Sequence, residues 1–204
     1  MRKLNKLRNY YRLDYKLYSG KLGINLTSKK VKEAELFKWF LASILYGKRI
    51  SEEIAARTYK EFVKAGLLTP KAIIKAGWNR LVEVLDKGGY VRYDFSTATK
   101  LLDVCKMLLE KYGSLTALHH AAKDSKDIET KLLEFKGIGP LTTNIFLREL
   151  RHVWKKANPE LSPLAKIALE RMKIKLPKNR KTLKFVKLEA GLTRAGKLFR
   201  RGKW

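Results

Sequence analysis

The strongest indication of a ligand-binding site in this sequence is a pair of glycines that flank Ile138. In "LLEFKGIGPLTTNIFLREL", Gly137 and Gly139 interrupt an apolar helical pattern that continues on both sides. Glycine permits positive φ, so two helices can meet there in a tight corner. Pro140 suits the first turn of the second helix, whose free N–H groups and dipole attract anions. The corner predicts a phosphate-binding hairpin, although a plain αα-corner would use the same residues.

The charge of the chain supports a polyanionic partner. Among its 204 residues, 46 are Lys or Arg and 19 are Asp or Glu, which gives a formal net charge of +27. Such self-repulsion is best relieved by nucleic acid. A Lys-rich thermophilic surface is the alternative, but those surfaces usually balance Lys with Glu. Charge alone leaves both duplex DNA and structured RNA open.

The composition also argues against several classes of site. The single cysteine, Cys105, excludes an internal disulfide and any four-cysteine zinc or iron–sulfur site, so we expect no cofactor. The histidines lack metal-ligand spacing; they are His119, His120 and His152. No apolar run approaches the roughly 20 residues of a membrane span. The N-terminus lacks an apolar signal core, so we expect a cytoplasmic protein without membrane contact.

Hydrophobic spacing and capping residues predict an all-α fold of short helices, with almost no strand signal. Ser, Thr or Pro begins most segments and Gly ends several of them. The segments with helical patterning cover 28–47, 51–66, 69–77, 78–89, 94–113, 114–122, 125–136, 139–157 and 163–174. A strongly basic tail follows from 173 to 204, and it suits a helix that folds back onto the rest.

The order of these segments resembles the endonuclease III-like helix-hairpin-helix DNA glycosylase superfamily over about residues 30–172. The segments that carry the resemblance are "LFKWFLASILYGKRISEEIAARTYKEF", "LDKGGYVRYDFSTATKLLDVCKMLLEKYG" and the hairpin. The resemblance implies a helical barrel over 36–145 that ends in the hairpin motif at about 128–150. It implies a second subdomain built from 1–35 and 146–204, with basic terminal arms.

The same resemblance implies where DNA would bind. Duplex DNA would cross the cleft between the subdomains, and one nucleotide would rotate into a pocket there. Lys48 and Arg49 would fill the gap and contact phosphate, unless they are simply solvated charges. The hairpin contacts would be Gly137, Ile138, Gly139, Leu141 and Thr142. The carbonyls of Leu133, Phe135 and Ile138 would hold a monovalent cation against a phosphate.

The chain departs from the family at both catalytic positions. Members that cut the strand carry a nucleophilic Lys two residues after the second hairpin glycine, where this chain has Leu141. A leucine excludes lyase activity through that position. The family Asp falls on Ser162 when helix starts are aligned, or on Glu160 when residues are counted. Ser162 also reads as a plain helix cap.

Other residues could complete a site. Asp94 is a further candidate carboxylate, or else the cap of the long helix that follows it. Tyr90 and Tyr93 could stack on an extruded base, or belong to the core. We therefore expect a monofunctional base-excision-repair glycosylase that hydrolyses the N-glycosidic bond of a damaged base, acting as a monomer on duplex DNA of the nucleoid. The alternative is a non-catalytic lesion-binding protein. Strand cleavage through another lysine also stays open.

Overall fold

The computed structural model describes residues 13–203, and the prediction of an all-α protein is confirmed there, with no strand in that range. Within these described residues the chain forms ten α-helices and one π-helical turn, Leu108–Tyr112. In order, the helices are α1 (Tyr18–Lys21), α2 (Glu33–Tyr46), α3 (Glu52–Lys64), α4 (Pro70–Lys87), α5 (Asp94–Met107), α6 (Leu115–Ala121), α7 (Ser125–Leu133), α8 (Pro140–Arg148), α9 (Pro163–Met172) and α10 (Leu183–Arg200). Helix α4 is broken by a kink at Gly77, whose φ of 72° and ψ of 174° are not helical, at the boundary predicted between 69–77 and 78–89.

Local capping fixes many of the helix starts. A hydroxyl at the N-cap accepts a hydrogen bond from an amide of the first turn, which satisfies a donor that has no partner inside the helix. Five helices begin this way, with caps at Ser51, Thr69, Ser114, Ser162 and Thr182. The predicted helix starts agree with the first four of these caps, whereas the start at Thr182 was not predicted.

Helix α2 is the centre of the larger hydrophobic core and positions the hairpin. It is apolar on nearly all sides and packs against α3, α6 and α8, as expected for a buried helix. The Trp39 indole N–H donates to the Phe146 carbonyl at 3.0 Å, which ties α2 to α8. At the end of α2, a side chain on Gly47 would overlap the Thr142 hydroxyl. This glycine therefore lets the start of α8 lie directly against the loop that follows α2.

Helix α8 ends at Arg148, nine residues before the end predicted at Ala157. The chain then turns because its next polar residues bond to distant segments. The Glu149 carboxylate accepts from the Tyr18 and Ser19 amides, and the Arg151 guanidinium binds the Glu189 carboxylate. Continuing the helix would carry both side chains away from these partners, so the prediction of a helix to 157 was wrong.

A smaller hydrophobic cluster forms between α9 and α10. It contains Leu13 and buried residues of both helices, whereas Val186 and Ala190 of α10 belong to the larger core. The basic segment expected to fold back is thus helical from Leu183 to Arg200. The division into subdomains at 36–145 stays a prediction. Across residues 13–203, none of the helices combines the length and apolarity needed to cross a bilayer.

Candidate nucleic-acid interface

The hairpin forms an exposed corner between α7 and α8. Gly137 has φ 80°, a left-handed conformation that favours glycine, and the Ile138 amide closes the turn by donating to the Phe135 carbonyl at 2.9 Å. Gly139 has φ −105° and is the N-cap of α8, so only the first glycine uses positive φ. Gly137 and Pro140 are exposed, and Ile138 is buried as the anchor. The start of α8 therefore faces solvent.

The two residues that follow Pro140 point in different directions. Leu141 is 53% exposed, whereas Thr142 is buried against Gly47. The Thr142 side chain is thus turned into the protein, which does not fit a side-chain contact to DNA. The carbonyl of Phe135 accepts the Ile138 amide, and those of Leu133 and Ile138 belong to the same turn region. The monovalent cation at these carbonyls stays a prediction.

A cleft of about 660 Å³ opens beside the hairpin. It brings together five parts of the chain that are far apart in sequence: helix α1, the end of α2 with the loop that leads into α3, helix α8, the start of α9 and the end of α10. Leu141, Ser162, Lys48 and Arg49 all line it. The structure therefore unites these predicted site residues in one concave surface.

The lining of this cleft is strongly cationic. Six lining side chains carry positive charge, namely Lys48, Arg49, Arg148, Lys197, Arg200 and Arg201. Among the described residues that line the cleft, Glu52 is the one carboxylate, and the Lys197 ammonium lies 3.4 Å from it. Glu52 lies in the first turn of α3, where the sequence pattern suggests only a favourable interaction with the helix dipole. Its place in the cleft depends on the approach of α10 to the start of α3 at Lys197, which the sequence pattern does not reveal.

The floor of the cleft contains aromatic and arginine side chains that the sequence analysis missed. Two guanidinium groups lie over the Tyr18 ring, with the Arg148 and Arg194 carbons 5.0 and 4.1 Å from its centroid. Tyr46 meets Tyr18 edge to face at 6.2 Å. Burial raises the pKa of both phenols, so both stay neutral at ordinary pH. Burial likewise raises the pKa of Glu149, which lies beneath Tyr18.

The three catalytic candidates occupy different environments. Glu160 has a side chain that is 84% exposed, lies 3.6 Å from the Lys166 ammonium and is absent from the cleft lining. Asp94 is buried at the start of α5, where its carboxylate accepts the Phe95 amide at 2.6 Å. Ser162 lines the cleft, caps Ala165 and lies 3.4 Å from the Thr193 hydroxyl. Of the three, only Ser162 can touch a ligand held in the cleft.

The two tyrosines predicted to stack on a base differ in exposure. Tyr90 is fully buried, and its hydroxyl donates to the Leu45 carbonyl at 2.7 Å, so it is a core residue. Tyr93 is half-buried, with the Lys48 ammonium 5.4 Å from its ring centroid. Tyr90 therefore cannot stack on a base in this conformation, while Tyr93 lies beside a cleft residue.

Lys100 is a further residue that the sequence analysis missed. Its side chain lies across Gly137, since a Cβ there would be 2.6 Å from the Lys100 Cε. The pKa of Lys100 is lowered to about 8, mainly by burial and to a smaller extent by the neighbouring positive charge of Lys48. The hairpin is thus flanked by a lysine whose charge changes near neutral pH.

This environment predicts a pH effect on binding of a polyanion. Lys100 loses its positive charge as pH rises through about 8, so affinity for duplex DNA should fall over that range. From pH 7 to 9 at constant salt, we expect wild-type affinity to drop about threefold more than that of Lys100→Arg, which stays charged. Fluorescence anisotropy measures this. Lys106→Arg, at an exposed position of the same helix, is the control, and identical pH profiles for all three proteins would contradict the assignment.

The cysteine and two of the histidines have contacts typical of residues that stabilise the fold. Burial raises the pKa of the Cys105 thiol to about 12, and His119 stacks on Trp154 at 4.6 Å. His152 bonds to the Leu26 carbonyl at 2.8 Å through Nε2. Within residues 13–203, no group of three or more His, Cys, Asp or Glu side chains is arranged to hold a metal.

Comparison with known proteins adds no relative to this description. Neither a scan against protein-family models nor searches of curated proteins and of solved structures found a match.

Proposed function

We propose that this protein binds duplex DNA through the hairpin and the adjoining cationic cleft, on a scaffold of the helix-hairpin-helix DNA glycosylase type. The observation that carries the proposal is that two anion-binding features, a helix start and a group of cationic side chains, face the same cleft. The exposed start of α8 and six cationic side chains face the same concave surface. Backbone amides at a helix start bind phosphate without reading sequence, and the cations extend that contact along the strand.

In this proposal one nucleotide leaves the base stack and enters the cleft. A flipped base is held by stacking on aromatic rings and by polar groups around its edge. Tyr46 is half-buried and supplies aromatic surface at the cleft, while Lys48 and Arg49 lie on the loop that would fill the vacated place in the duplex. We propose that the protein acts as a monomer on chromosomal DNA in the cytoplasm.

The reaction that fits best is hydrolysis of the N-glycosidic bond of a damaged base. Cleavage of this bond passes through a cationic, oxocarbenium-like sugar, which a nearby carboxylate stabilises while it orients water. Glu52 is the candidate for this role because it lines the cleft. Leu141 occupies the place of the family nucleophile and cannot form a Schiff base, so base removal would proceed without strand cleavage at that position.

A non-catalytic lesion-binding protein is the second candidate, and the charge of the cleft favours it. Six cations around one carboxylate raise the energy of a cationic sugar, and Lys197 already neutralises Glu52 at 3.4 Å. The same charges stabilise bound phosphate. The six cations therefore support DNA binding, whereas only one carboxylate of the cleft supports hydrolysis.

A glycosylase panel separates the two candidates. We expect duplexes with single damaged bases to release free base, and Glu52→Gln to lower the rate about 100-fold or more while binding is retained. Glu53→Gln is the matched control because Glu53 is exposed and outside the cleft lining. Binding without base release from any lesion would leave the lesion-binding function. Preference for structured RNA over duplex DNA in competition would overturn both.

A further inference from the structure

Arg148 is a buried cation at the floor of the cleft whose hydrogen-bonding capacity is not used. The residue is 6% exposed, ends α8 and lines the cleft. Its Nε has no hydrogen-bond partner among the described residues, and its guanidinium lies over the Tyr18 ring. Burying a guanidinium N–H without an acceptor is costly. An anionic ligand would supply the missing hydrogen-bond acceptor for this side chain.

The start of α9 lines the same cleft as Arg148. Ser162, Pro163 and Leu164 all contribute to the lining, and α9 is ten residues long. Pro163 has no N–H, and the Ser162 hydroxyl already accepts the Ala165 amide. This leaves the Leu164 amide, together with the positive end of the helix dipole, for a ligand. A buried arginine and a helix start thus converge on one site.

The charges around this site favour an anion with more than one negative charge. Arg200, Arg201 and Lys197 surround its opening, and the acids near it are Glu52, paired with Lys197, and Glu53, close to Lys197 and Arg201. Glu149 partly balances Arg148 but is committed to the Tyr18 and Ser19 amides. Six cations line the cleft, so positive charge remains in excess after all three acids are counted.

A terminal phosphate fits this site better than a phosphate inside a strand. A phosphodiester carries one negative charge and is connected on both sides, so its strand would have to enter and leave the cleft floor. A phosphate monoester has a second pKa near 6, carries almost two charges at pH 7 and offers three oxygens on a single connection. Arg148 and Leu164 line the same cleft, and the oxygens of a monoester suit bidentate bonds to a guanidinium as well as a bond from a backbone amide.

We propose that the floor of the cleft, formed by Arg148 and the start of α9, binds a terminal phosphate monoester of DNA. The preferred substrate is then a duplex with a strand break whose end carries phosphate. This inference rests on the proposed DNA-binding function and adds to it the class of substrate. The hairpin holds an intact part of the strand, and the cleft floor holds the broken end.

Four matched duplexes test the proposal by fluorescence anisotropy at one salt concentration. They are identical in sequence and are intact, nicked with hydroxyl ends, nicked with 5′-phosphate, or nicked with 3′-phosphate. We expect at least one phosphorylated nick to bind about tenfold more tightly than the hydroxyl nick. Equal affinity for all three nicks overturns the proposal. Failure to bind any duplex overturns the DNA-binding function instead, so the two failures are distinguishable.

Two variants locate the effect. Arg148→Gln removes the charge and should abolish the phosphate preference, but Arg148 is buried and its loss can affect folding. Ser162→Asp avoids this difficulty, because Asp is also a good N-cap and adds a negative charge to the cleft floor. It should reduce the tenfold preference to within about twofold. Asn79→Asp adds the same charge at an exposed position of α4 and should keep the full preference. Retention of the preference in Ser162→Asp overturns the proposal.

Free ligands identify the source of the phosphate. Inorganic phosphate and deoxyadenosine 5′-monophosphate should displace the phosphorylated nick at concentrations that leave the intact duplex bound. If both displace the intact duplex equally well, they act only as salt, and the proposal is overturned. Displacement by the nucleotide alone supports a site that holds the terminal nucleoside together with its phosphate.

Discussion

Replacement of Arg151 with methionine will lower the free energy of unfolding by about 3–5 kcal/mol. The Arg151 and Glu189 side chains are 0% and 1% exposed, and their closest charged atoms are 2.8 Å apart. Arg151 also donates to the Pro159 carbonyl and the Asn158 side chain. Without the guanidinium, Glu189 keeps a buried charge that has lost its partner, which is far more costly than losing a surface ion pair.

Urea unfolding followed by circular dichroism measures this loss. Lys64→Met is the control, because Lys64 is 71% exposed in its ion pair with Glu61 and should change stability by less than about 0.5 kcal/mol. The double variant Arg151→Met, Glu189→Met should recover much of the loss, since no buried charge remains. A loss below about 1 kcal/mol in Arg151→Met would show that the pair is not the link between α10 and the turn after α8.

Replacement of Gly139 with aspartate will lower the affinity for duplex DNA about 100-fold or more at low salt. Gly139 is the N-cap of α8, and a Cβ built there meets no atom within 4 Å. Its φ of −105° and ψ of 177° suit any residue, and Asp is a favoured N-cap. The variant should therefore fold normally while its carboxylate occupies the amides and repels phosphate.

Gly139→Asn separates the two causes of this loss. Asparagine can cap the same amides without adding charge, so its affinity should lie between those of wild type and Gly139→Asp. Thermal unfolding of both variants should give midpoints at or slightly above that of wild type. Unchanged DNA affinity in a folded Gly139→Asp protein would contradict a role for the hairpin in phosphate binding.

The features that the sequence predicted correctly depend on local chemistry. Ser51 and Ser162 begin helices because a hydroxyl can cap amides two or three positions further on, and this pattern is visible in the sequence. Gly137 likewise marks the turn of the hairpin, because positive φ favours glycine wherever the rest of the chain lies. An amphipathic pattern with such end signals is enough to identify the α-helical class.

The features that the sequence did not reveal depend on distant partners. Glu149 ends α8 by bonding to Tyr18, 131 residues earlier in the chain, and no local pattern contains that information. Tyr90 is buried because its hydroxyl reaches the Leu45 carbonyl, which makes it a core residue instead of a stacking surface. Glu52, Tyr18 and Arg148 form one cleft only after α3, α8 and α10 have packed together.

Amide chemical shifts during a titration with duplex DNA test the central claim most directly. In the ¹⁵N-labelled protein, the largest changes should fall on the amides of 136–139, Leu141 and Thr142, and on those of the cleft residues Lys48, Arg49, Leu164 and Arg200. Gly139→Asp should remove the hairpin changes. If the shifts occur only in the basic ends of the chain while the hairpin amides stay unchanged, the hairpin does not bind the DNA backbone and the account is wrong.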